Sequence, residues 1–360
     1  MSVAEAPAAG ERRRVREPLL VRACRRERTE RTPVWFMRQA GRCLADYRAL
    51  RERYGMLEMT RTPELCARVT TLPVERLGVD GAVLYADIML PLDGMGVAFR
   101  IEPSAGPIVD RPIRTRADVD AIRVVEAEEG TPYVLEAIRA LRRSLPADVA
   151  LIGFAGAPFT LASYLVEGRP SREHARTKAM LFGEPALWDA LMTRISDVLA
   201  RYLRAQIAAG AQVVQLFDSW AGALAPADYE RAVLPYTRRI LASLAGLGAP
   251  RIHFATGNPA LVPLMARAEC DVVSVDWRLP LDEAWSAAGA AVGIQGNLDP
   301  GVCLAPFDVV AGHARDVLRR AGGRAGHVFN LGHGVLPETD PDTLARLVDL
   351  VHLETARPLA

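Results

Sequence analysis

The stretch QVVQLFDSWAGALAPADYERAVLPYTRRILASLAGLGAPRIHFA, residues 212–255, contains one complete unit of the pattern that decides the fold. An apolar, β-branched run (Gln212–Asp218) is followed by a segment with helical periodicity that begins at a proline (Pro226–Ala245). A second apolar run (Arg251–Ala255) comes next. Short apolar runs that alternate with longer amphipathic segments are typical of βαβ units, in which the strands are parallel. This stretch therefore predicts a parallel sheet with helices packed on it.

The same alternation runs through most of the 360 residues. The predicted strands are short apolar runs, namely Val34–Arg38, Gly81–Asp87, Ala150–Ala155, Gln212–Asp218, Arg251–Ala255, Asp271–Asp276, Ala291–Gly296 and His327–Leu331. The predicted helices are amphipathic and mostly begin at a proline, which is favourable in a first turn; they are Pro63–Leu77, Pro132–Leu145, Pro185–Ala209, Pro226–Ala245, Pro259–Ala268, Pro306–Ala321 and Pro341–Val351. Eight strands separated by helices predict an α/β fold, a single (β/α)₈ TIM barrel, with Ala40–Arg61 and a hairpin-like excursion at Val97–Val109 as insertions.

Composition and charge argue against several classes of protein. Half of the residues are apolar and 24% are charged, which is typical of a globular chain. The 44 basic residues nearly balance the 43 acidic ones, so no nucleic-acid partner is expected. No apolar run approaches the roughly 20 residues that span a bilayer, so no membrane partner is expected either. The five cysteines include no C-x-x-C pair, which favours reduced thiols in a cytoplasmic protein.

No linker or shift in composition divides the chain. Residues 1–16 are rich in arginine and lack the apolar core of a signal peptide, so they are predicted to form a flexible arm. Residues 17–357 are predicted to form the barrel as one domain.

Arginines cluster after the first predicted strand. Arg38 and Arg42 flank the small-residue segment Gln39-Ala40-Gly41. A guanidinium group is planar and always charged, and it binds carboxylates or phosphates through two parallel hydrogen bonds. Because the active sites of such barrels lie at the carboxyl ends of the strands, this cluster predicts an anion-binding loop. A solvated basic surface would give the same pattern.

Two further strand ends carry groups that could do chemistry. Asp87 ends an otherwise apolar strand, where a carboxylate needs either an arginine of the barrel or a cationic or N–H-rich ligand. His333 lies between two glycines and could donate to an anionic ligand or to the backbone. None of the six histidines lies in a metal-binding motif, so no metal site is predicted.

Eight segments, in the same order along the chain, resemble motifs of the uroporphyrinogen decarboxylase family. They are PVWFMRQAGR (Pro33–Arg42), the strand Leu84–Leu90, GFAGAPFTLASYLVEG (Gly153–Gly168), LFDSWAG (Leu216–Gly222), HFATGN (His253–Asn258), VSVDW (Val273–Trp277), GIQGNLDP (Gly293–Pro300) and FNLGHGVLPETDPD (Phe329–Asp342). Several of these segments are long, so the resemblance is specific, and it extends over about residues 17–357.

The resemblance implies a single (β/α)₈ barrel, usually a homodimer, that uses neither a metal nor an organic cofactor. The implied reaction removes carbon dioxide from the four acetate side chains of uroporphyrinogen III. Its product is coproporphyrinogen III, on the route to haem.

The resemblance also implies roles for individual residues. Asp87 is the implied catalytic carboxylate, which binds the pyrrole N–H groups and stabilises positive charge. Arg38 binds substrate carboxylates and is one candidate for the proton donor, although a guanidinium is a very weak acid. The other implied substrate-binding residues are Gln39, Ala40, Gly41, Arg42, Tyr164, Ser219 and His333, with Arg51 as a weaker candidate. After Arg42 the chain reads Cys43-Leu44-Ala45-Asp46 where the family usually has Tyr-x-Pro-Glu, so the rim of this loop is expected to differ.

Two other functions would also suit a barrel of this kind. A zinc-dependent corrinoid methyltransferase of the same superfamily needs a His-x-Cys element and a later cysteine. Here His253-Phe254 is followed by Ala255, and Asn330–Gly334 contains no cysteine. A non-catalytic tetrapyrrole-binding protein would be favoured by loss of Asp87 or Arg38, and both are present.

Overall fold

The structure, a computed structural model, describes residues 17–102 and 105–358, so the predicted arm at residues 1–16 lies outside the described part. The strands are β1 (Gly81–Val83), β2 (Phe99–Glu102), β3 (Gly106–Val109), β4 (Ala150–Gly156), β5 (Val213–Asp218), β6 (Arg251–Ala255), β7 (Val272–Ser274), β8 (Gly293–Leu298) and β9 (His327–Leu331). The α-helices are α1 (Leu19–Cys24), α2 (Ala45–Arg53), α3 (Met56–Arg61), α4 (Pro63–Leu77), α5 (Pro91–Met95), α6 (Arg116–Asp120), α7 (Ala127–Gly130), α8 (Pro132–Ser144), α9 (Pro158–Glu167), α10 (Ala175–Gly183), α11 (Pro185–Ala209), α12 (Pro226–Ala232), α13 (Leu234–Ser243), α14 (Val262–Ala266), α15 (Leu281–Ala288), α16 (Phe307–Ala321) and α17 (Pro341–Thr355).

Seven strands form one curled, parallel sheet in the order β1-β4-β5-β6-β7-β8-β9. Each pair of neighbours along this order is parallel, so the carboxyl ends of all seven strands meet at one edge. The remaining two strands, β2 and β3, form an antiparallel hairpin, which confirms the predicted excursion. None of the helices in the described residues is long and apolar enough to cross a membrane.

The core lies between this sheet and the surrounding helices. Every residue of β4, β5, β8 and β9 is buried, as expected for parallel strands that are covered on both faces. Helix α11 presents Leu191, Ile195 and Leu199 to the core at intervals of four residues. Each such side chain contributes about 1.5–3 kcal/mol when it is fully buried.

Side-chain hydrogen bonds end β1 earlier than the sequence pattern predicts. The strand was expected over Gly81–Asp87 but ends at Val83. The hydroxyl of Thr70 accepts from the backbone N–H of Tyr85 at 2.8 Å, so α4 takes a hydrogen bond that a sheet neighbour would otherwise make. Asp87 therefore lies in a loop beyond the strand.

The predicted first strand, Val34–Arg38, is wrong in extent. Only Val34 pairs with the sheet, through a single parallel bridge to Phe329 in β9. The side-chain oxygen of Asn330 accepts from the backbone N–H of Met37 at 3.1 Å, and this bond replaces strand pairing. In place of the predicted eight regular strands, the structure has a seven-stranded parallel sheet and this bridge.

A proline divides one predicted helix. The segment Pro226–Ala245 was expected to be continuous, but it forms α12 and α13, which meet at Val233. Pro235 lies in the first turn of α13, and a proline inside one long helix would remove a backbone hydrogen bond.

Candidate active site

The turn that follows Val34 presents Arg38 to solvent. Arg38 has a φ of +60°, in the left-handed region that side chains rarely adopt. Its aliphatic stem lies on Gly334, in the loop after β9. A Cβ atom at Gly334 would be only 2.4 Å from Cδ of Arg38. Because Gly334 has no side chain, it leaves space for Arg38 at the edge where the parallel strands end.

The side chain of Gln39 stabilises this turn through two hydrogen bonds. Its side chain is fully buried, and its Oε1 atom accepts from the backbone N–H of Phe36 at 2.9 Å. Its Nε2 atom donates to the backbone carbonyl of Gly81 at 2.8 Å. Because both ends of the amide are used within the protein, any contact of Gln39 with a ligand would come from its backbone.

The rest of the loop is held by its own side chains. Ala40 and Gly41 are half-buried, and Arg42 is exposed. Arg48 donates from Nη1 to the backbone carbonyl of Arg42 at 2.8 Å. In the segment that departs from the family pattern, Cys43 and Leu44 are buried and α2 begins at Ala45. Arg51 donates to the carbonyl of Tyr54 at 2.7 Å, away from the turn.

Asp87 is half-buried in the loop between β1 and α5. Its Oδ1 atom accepts from the backbone N–H of Met89 at 2.8 Å, and its Oδ2 atom has no hydrogen-bond partner among the described residues. Burial raises the pKa of this carboxyl, whereas the Met89 N–H and the positive charge of Arg38 oppose the rise. A ligand that brought N–H groups or positive charge to Oδ2 would relieve this cost.

Tyr164 lies near enough to Asp87 and Arg38 for their charges to act on its hydroxyl. It is carried by α9, which begins just after β4, and its ring packs on that of Trp220 with 4.0 Å between centroids. Burial and the negative charge of Asp87 raise the pKa of the Tyr164 hydroxyl, and the charge of Arg38 opposes them. The hydroxyl therefore stays protonated and can donate a hydrogen bond.

Ser219 and His333 line one cleft of about 420 Å³. The cleft is also lined by His174, Trp220, Gly222, Ala223, Thr256, Gly257, Trp277 and Arg278. Burial lowers the pKa of His333 to about 4, and the positive charges of Arg38 and Arg278 act in the same direction. At neutral pH the imidazole is therefore neutral, and it can donate from one nitrogen and accept at the other.

The structure thus brings Arg38, Asp87, Tyr164, Ser219 and His333 to the edge where the parallel strands end. The sequence analysis did not select the other residues that line the cleft. Trp220, Thr256 and Trp277 follow the ends of β5, β6 and β7 within three residues, so their position at strand ends was a usable signal. His174 follows no strand and gave no such signal.

Residues 16–353 match the family described as "Uroporphyrinogen decarboxylase (URO-D)". The chain belongs to the uroporphyrinogen decarboxylase family. A family member from Salinispora tropica, named uroporphyrinogen decarboxylase, is 54% identical over 340 residues, which are 94% of this chain and 91% of the relative. A relative of the same name from Streptomyces coelicolor is 52% identical over 357 residues, 99% of this chain and all of the relative.

Among solved structures, a methyltransferase from Methanosarcina mazei superposes with a TM-score of 0.79. It is 21% identical and covers 93% of this chain and 98% of its own. A B12-independent methionine synthase from Shewanella has a TM-score of 0.56 at 12% identity, covering 84% of this chain and 90% of its own. At these identities the similarity shows the fold alone.

Among the described residues of this member of the uroporphyrinogen decarboxylase family, the side chains are not arranged as a zinc site would require. In the described residues, no group of three or more His, Cys, Asp or Glu side chains could hold a metal ion. His253 is fully buried in β6 and lies near the carbonyl of Met265, and burial lowers its pKa to about 4. All five cysteines are buried, free thiols.

Proposed function

We propose that this protein is a uroporphyrinogen decarboxylase, which removes carbon dioxide from the four acetate side chains of uroporphyrinogen III and yields coproporphyrinogen III. The observation that carries the proposal is the environment of Asp87. Its carboxylate is half-buried, its Oδ2 atom lacks a hydrogen-bond partner among the described residues, and Arg38 and Tyr164 lie near enough to interact with it electrostatically. This arrangement suits a ligand that is rich in N–H groups at its centre and in carboxylates at its edge.

The substrate has both properties. Its four pyrrole N–H groups converge on the centre of the macrocycle, where Oδ2 of Asp87 can accept several of them. Its eight carboxylates lie at the periphery, within reach of exposed guanidinium groups such as those of Arg38 and Arg42. Each charge-assisted hydrogen bond of this kind contributes about 1.5–3 kcal/mol.

The chemistry requires stabilisation of positive charge. Protonation of the pyrrole carbon next to the acetate-bearing position gives an iminium-like cation, and the bond to the carboxylate carbon breaks towards that cation. The exocyclic methylene that remains takes up a proton to become a methyl group, and the ring carbon loses its proton. Each cycle thus consumes one proton and releases one carbon dioxide. Asp87 stabilises the cation electrostatically, at a site whose dipoles are already arranged.

The remaining side chains position the substrate. Arg38 and Arg42 bind carboxylates, with Arg38 a candidate for the proton donor, and the Tyr164 hydroxyl donates beside Asp87. Ser219 and the neutral His333 contribute hydrogen bonds from the cleft, while Gln39, Ala40 and Gly41 contribute backbone groups. Holding the acetate over the charged ring limits the motions that compete with bond cleavage.

We also propose that residues 17–357 form one barrel, which the segment at Val34 closes. The backbone N–H of Trp35 donates to the carbonyl of Phe329 in β9 at 3.3 Å, and the N–H of Asp80 donates to the carbonyl of Val34 at 2.8 Å. The segment thus bonds to both ends of the sheet. The proposed homodimer rests on the family resemblance, and sedimentation equilibrium measures it. The proposed cytoplasmic location is supported by the five unpaired thiols.

Anaerobic incubation with uroporphyrinogen III, followed by oxidation and chromatography of the porphyrins, tests the proposed function. The proposal predicts a series of products from eight carboxylates down to four. Unchanged substrate from folded protein would contradict it. In that case the zinc content of the protein would distinguish a methyltransferase from a tetrapyrrole-binding protein.

A further inference from the structure

The cleft contains an arginine, Arg278, that has no role in the proposed catalytic steps. Arg278 lines the cleft together with Ser219 and His333. Of the ten residues that line the cleft in the described part of the chain, it is the only one with a formal charge at neutral pH. His333 lines the same cleft, and the charge of Arg278 helps to lower the pKa of His333.

The guanidinium group of Arg278 is held in place by its neighbours. Its Nη1 atom donates to Oδ2 of Asp276, and its backbone N–H donates to Oδ1 of the same carboxylate at 3.0 Å. Its carbon Cζ lies 4.4 Å from the centroid of the Trp277 ring, a cation–π contact. The side chain is nonetheless 44% exposed. Little conformational entropy therefore remains to be lost when a ligand binds to it.

Asp276 does not use up the hydrogen-bonding capacity of this arginine. The same carboxylate also accepts from the hydroxyl of Thr256 at 2.8 Å and from the backbone N–H of Gly257 at 2.7 Å. Its negative charge is thus shared among four donors. The Nε and Nη2 atoms of Arg278 have no hydrogen-bond partner among the described residues, and together they form the edge of the guanidinium that binds a carboxylate through two bonds.

We propose that Arg278 binds a peripheral carboxylate of the tetrapyrrole through Nε and Nη2. The proposal rests on the proposed function and extends it. A substrate with eight carboxylates has more anionic groups than Arg38 and Arg42 can bind. Because Trp277 and Trp220 line the same cleft, the arginine presents its free edge beside flat aromatic surfaces that suit a pyrrole ring.

The carboxylate comes from either a propionate or an acetate side chain, and the two sources predict different results. Propionates persist in every intermediate and in the product, so an arginine that binds propionate contributes equally to substrate and product. An arginine that binds acetate contributes only to ligands that still carry acetates.

Equilibrium binding to the variant R278A separates these outcomes without requiring turnover. The probes are uroporphyrin, which carries all eight carboxylates, and coproporphyrin, which retains only the propionates. Quenching of tryptophan fluorescence reports occupancy, since Trp277 and Trp220 line the cleft. We expect Kd for uroporphyrin to rise about tenfold or more, which corresponds to the loss of one charge-assisted hydrogen bond. An equal rise for coproporphyrin assigns the propionate, and an unchanged Kd assigns the acetate.

A matched control is R267A. Arg267 is also exposed and paired with a carboxylate, that of Glu230, but it caps the far end of α14 and does not line the cleft. The R278K variant keeps the charge without the two-bond edge and should bind with intermediate affinity. The proposal is overturned if R278A binds both porphyrins as tightly as the wild type and R267A do. Failure of the wild type to decarboxylate would contradict the proposed function but leave this binding comparison intact.

Discussion

At the scale of single residues, the site depends on one close contact between two loops. The stem of Arg38 lies on Gly334, and no larger residue fits there without displacing it. The turn of Arg38 and the loop of His333 are therefore coupled, although 295 positions separate the two residues in the sequence.

The variant Gly334→Ala tests this coupling. The added Cβ would lie 2.8 Å from Cγ and 2.4 Å from Cδ of Arg38, so the arginine must move. We expect kcat/KM to fall about tenfold or more, because carboxylate binding depends on the position of the guanidinium. Gly312→Ala is the matched control, since nothing lies within 4 Å of a Cβ atom in the middle of α16. Equal activity of the two variants would contradict the coupling.

Asp218 ends β5, next to the turn that begins at Ser219. We expect it to make the free energy of unfolding depend on pH. It is fully buried, its Oδ1 atom accepts from the hydroxyl of Thr160 at 2.8 Å, and its Oδ2 atom has no partner in the described residues. Burial raises its pKa to about 7. An unfolded aspartate ionises near pH 4, so the folded chain holds a proton that the unfolded chain has lost.

The free energy of unfolding should therefore fall by up to a few kcal/mol as the pH rises from about 4 to about 7. Below pH 4 Asp218 is protonated in both the folded and the unfolded chain, and above pH 7 it is ionised in both. Asp218 therefore adds no pH dependence to the free energy of unfolding outside this range. Asp218→Asn cannot titrate and should remove it. Urea unfolding of both proteins at several pH values measures the difference, and parallel curves would show that Asp218 does not titrate in this range.

At the scale of elements, Asp80 ties three parts of the chain together just before β1. Its carboxylate accepts from the backbone N–H of Val34 at 2.8 Å, from Arg31 at 2.8 Å and from Nε2 of His352 in α17 at 2.7 Å. Burial alone would raise its pKa, but the hydrogen bonds and charges of these partners outweigh it and lower the pKa. The ends of the described chain are thus joined to the start of the sheet.

We expect Asp80→Asn to lower the free energy of unfolding by about 1–3 kcal/mol at pH 7, since it removes the negative charge that faces Arg31 and weakens the hydrogen bonds from the Val34 N–H and from His352. In the wild type this contribution is complete above the pKa of an unfolded aspartate. It is lost as the pH falls through the lower, folded pKa. Acid titration of thermal stability should therefore show a loss below about pH 4 that is weaker in the variant. An unchanged acid transition would rule out Asp80 as its source.

Periodicity best predicts elements whose backbone hydrogen bonds are mostly made within one helix or between neighbouring strands. Helices at Pro63–Leu77 and Pro185–Ala209, and strands at Arg251–Ala255 and His327–Leu331, have the predicted bounds. At the end of β1 the side chain of Thr70, rather than a neighbouring strand, accepts a backbone hydrogen bond. The hydrophobic pattern of the sequence does not predict such a replacement. The cleft residues show the same limit. Asp276 and Trp277 precede Arg278 directly in the sequence, but only the folded chain brings Arg278 to the same cleft as Ser219 and His333.

At the scale of the whole molecule, one fold serves more than one chemistry. At 21% identity the superposition with the Methanosarcina mazei protein shows the fold alone, and a fold of this kind does not determine a reaction. The proposed reaction therefore rests on the family relation and on the side chains at the strand ends. His253 is followed by Phe254 and Ala255 rather than by a cysteine ligand, and its imidazole is buried.

Decarboxylation should accordingly persist after exhaustive dialysis against a strong chelator. In the proposed steps the protonated pyrrole ring of the substrate accepts the electron pair of the broken bond. Asp87 stabilises the positive charge of that ring. Turnover of uroporphyrinogen III before and after dialysis, with metal content measured in both samples, checks this. Loss of activity that zinc restores would favour a metal-dependent mechanism.

The proposed function depends on the carboxylate of Asp87, which stabilises the cation formed on the pyrrole ring. The most direct measurement compares the wild type with Asp87→Ala and Asp87→Asn in anaerobic turnover of uroporphyrinogen III, with thermal melting as a check on the fold. We expect both variants to melt close to the wild type and to lose most of their turnover, by a factor of about 100 or more. Near-normal turnover in either variant would contradict it.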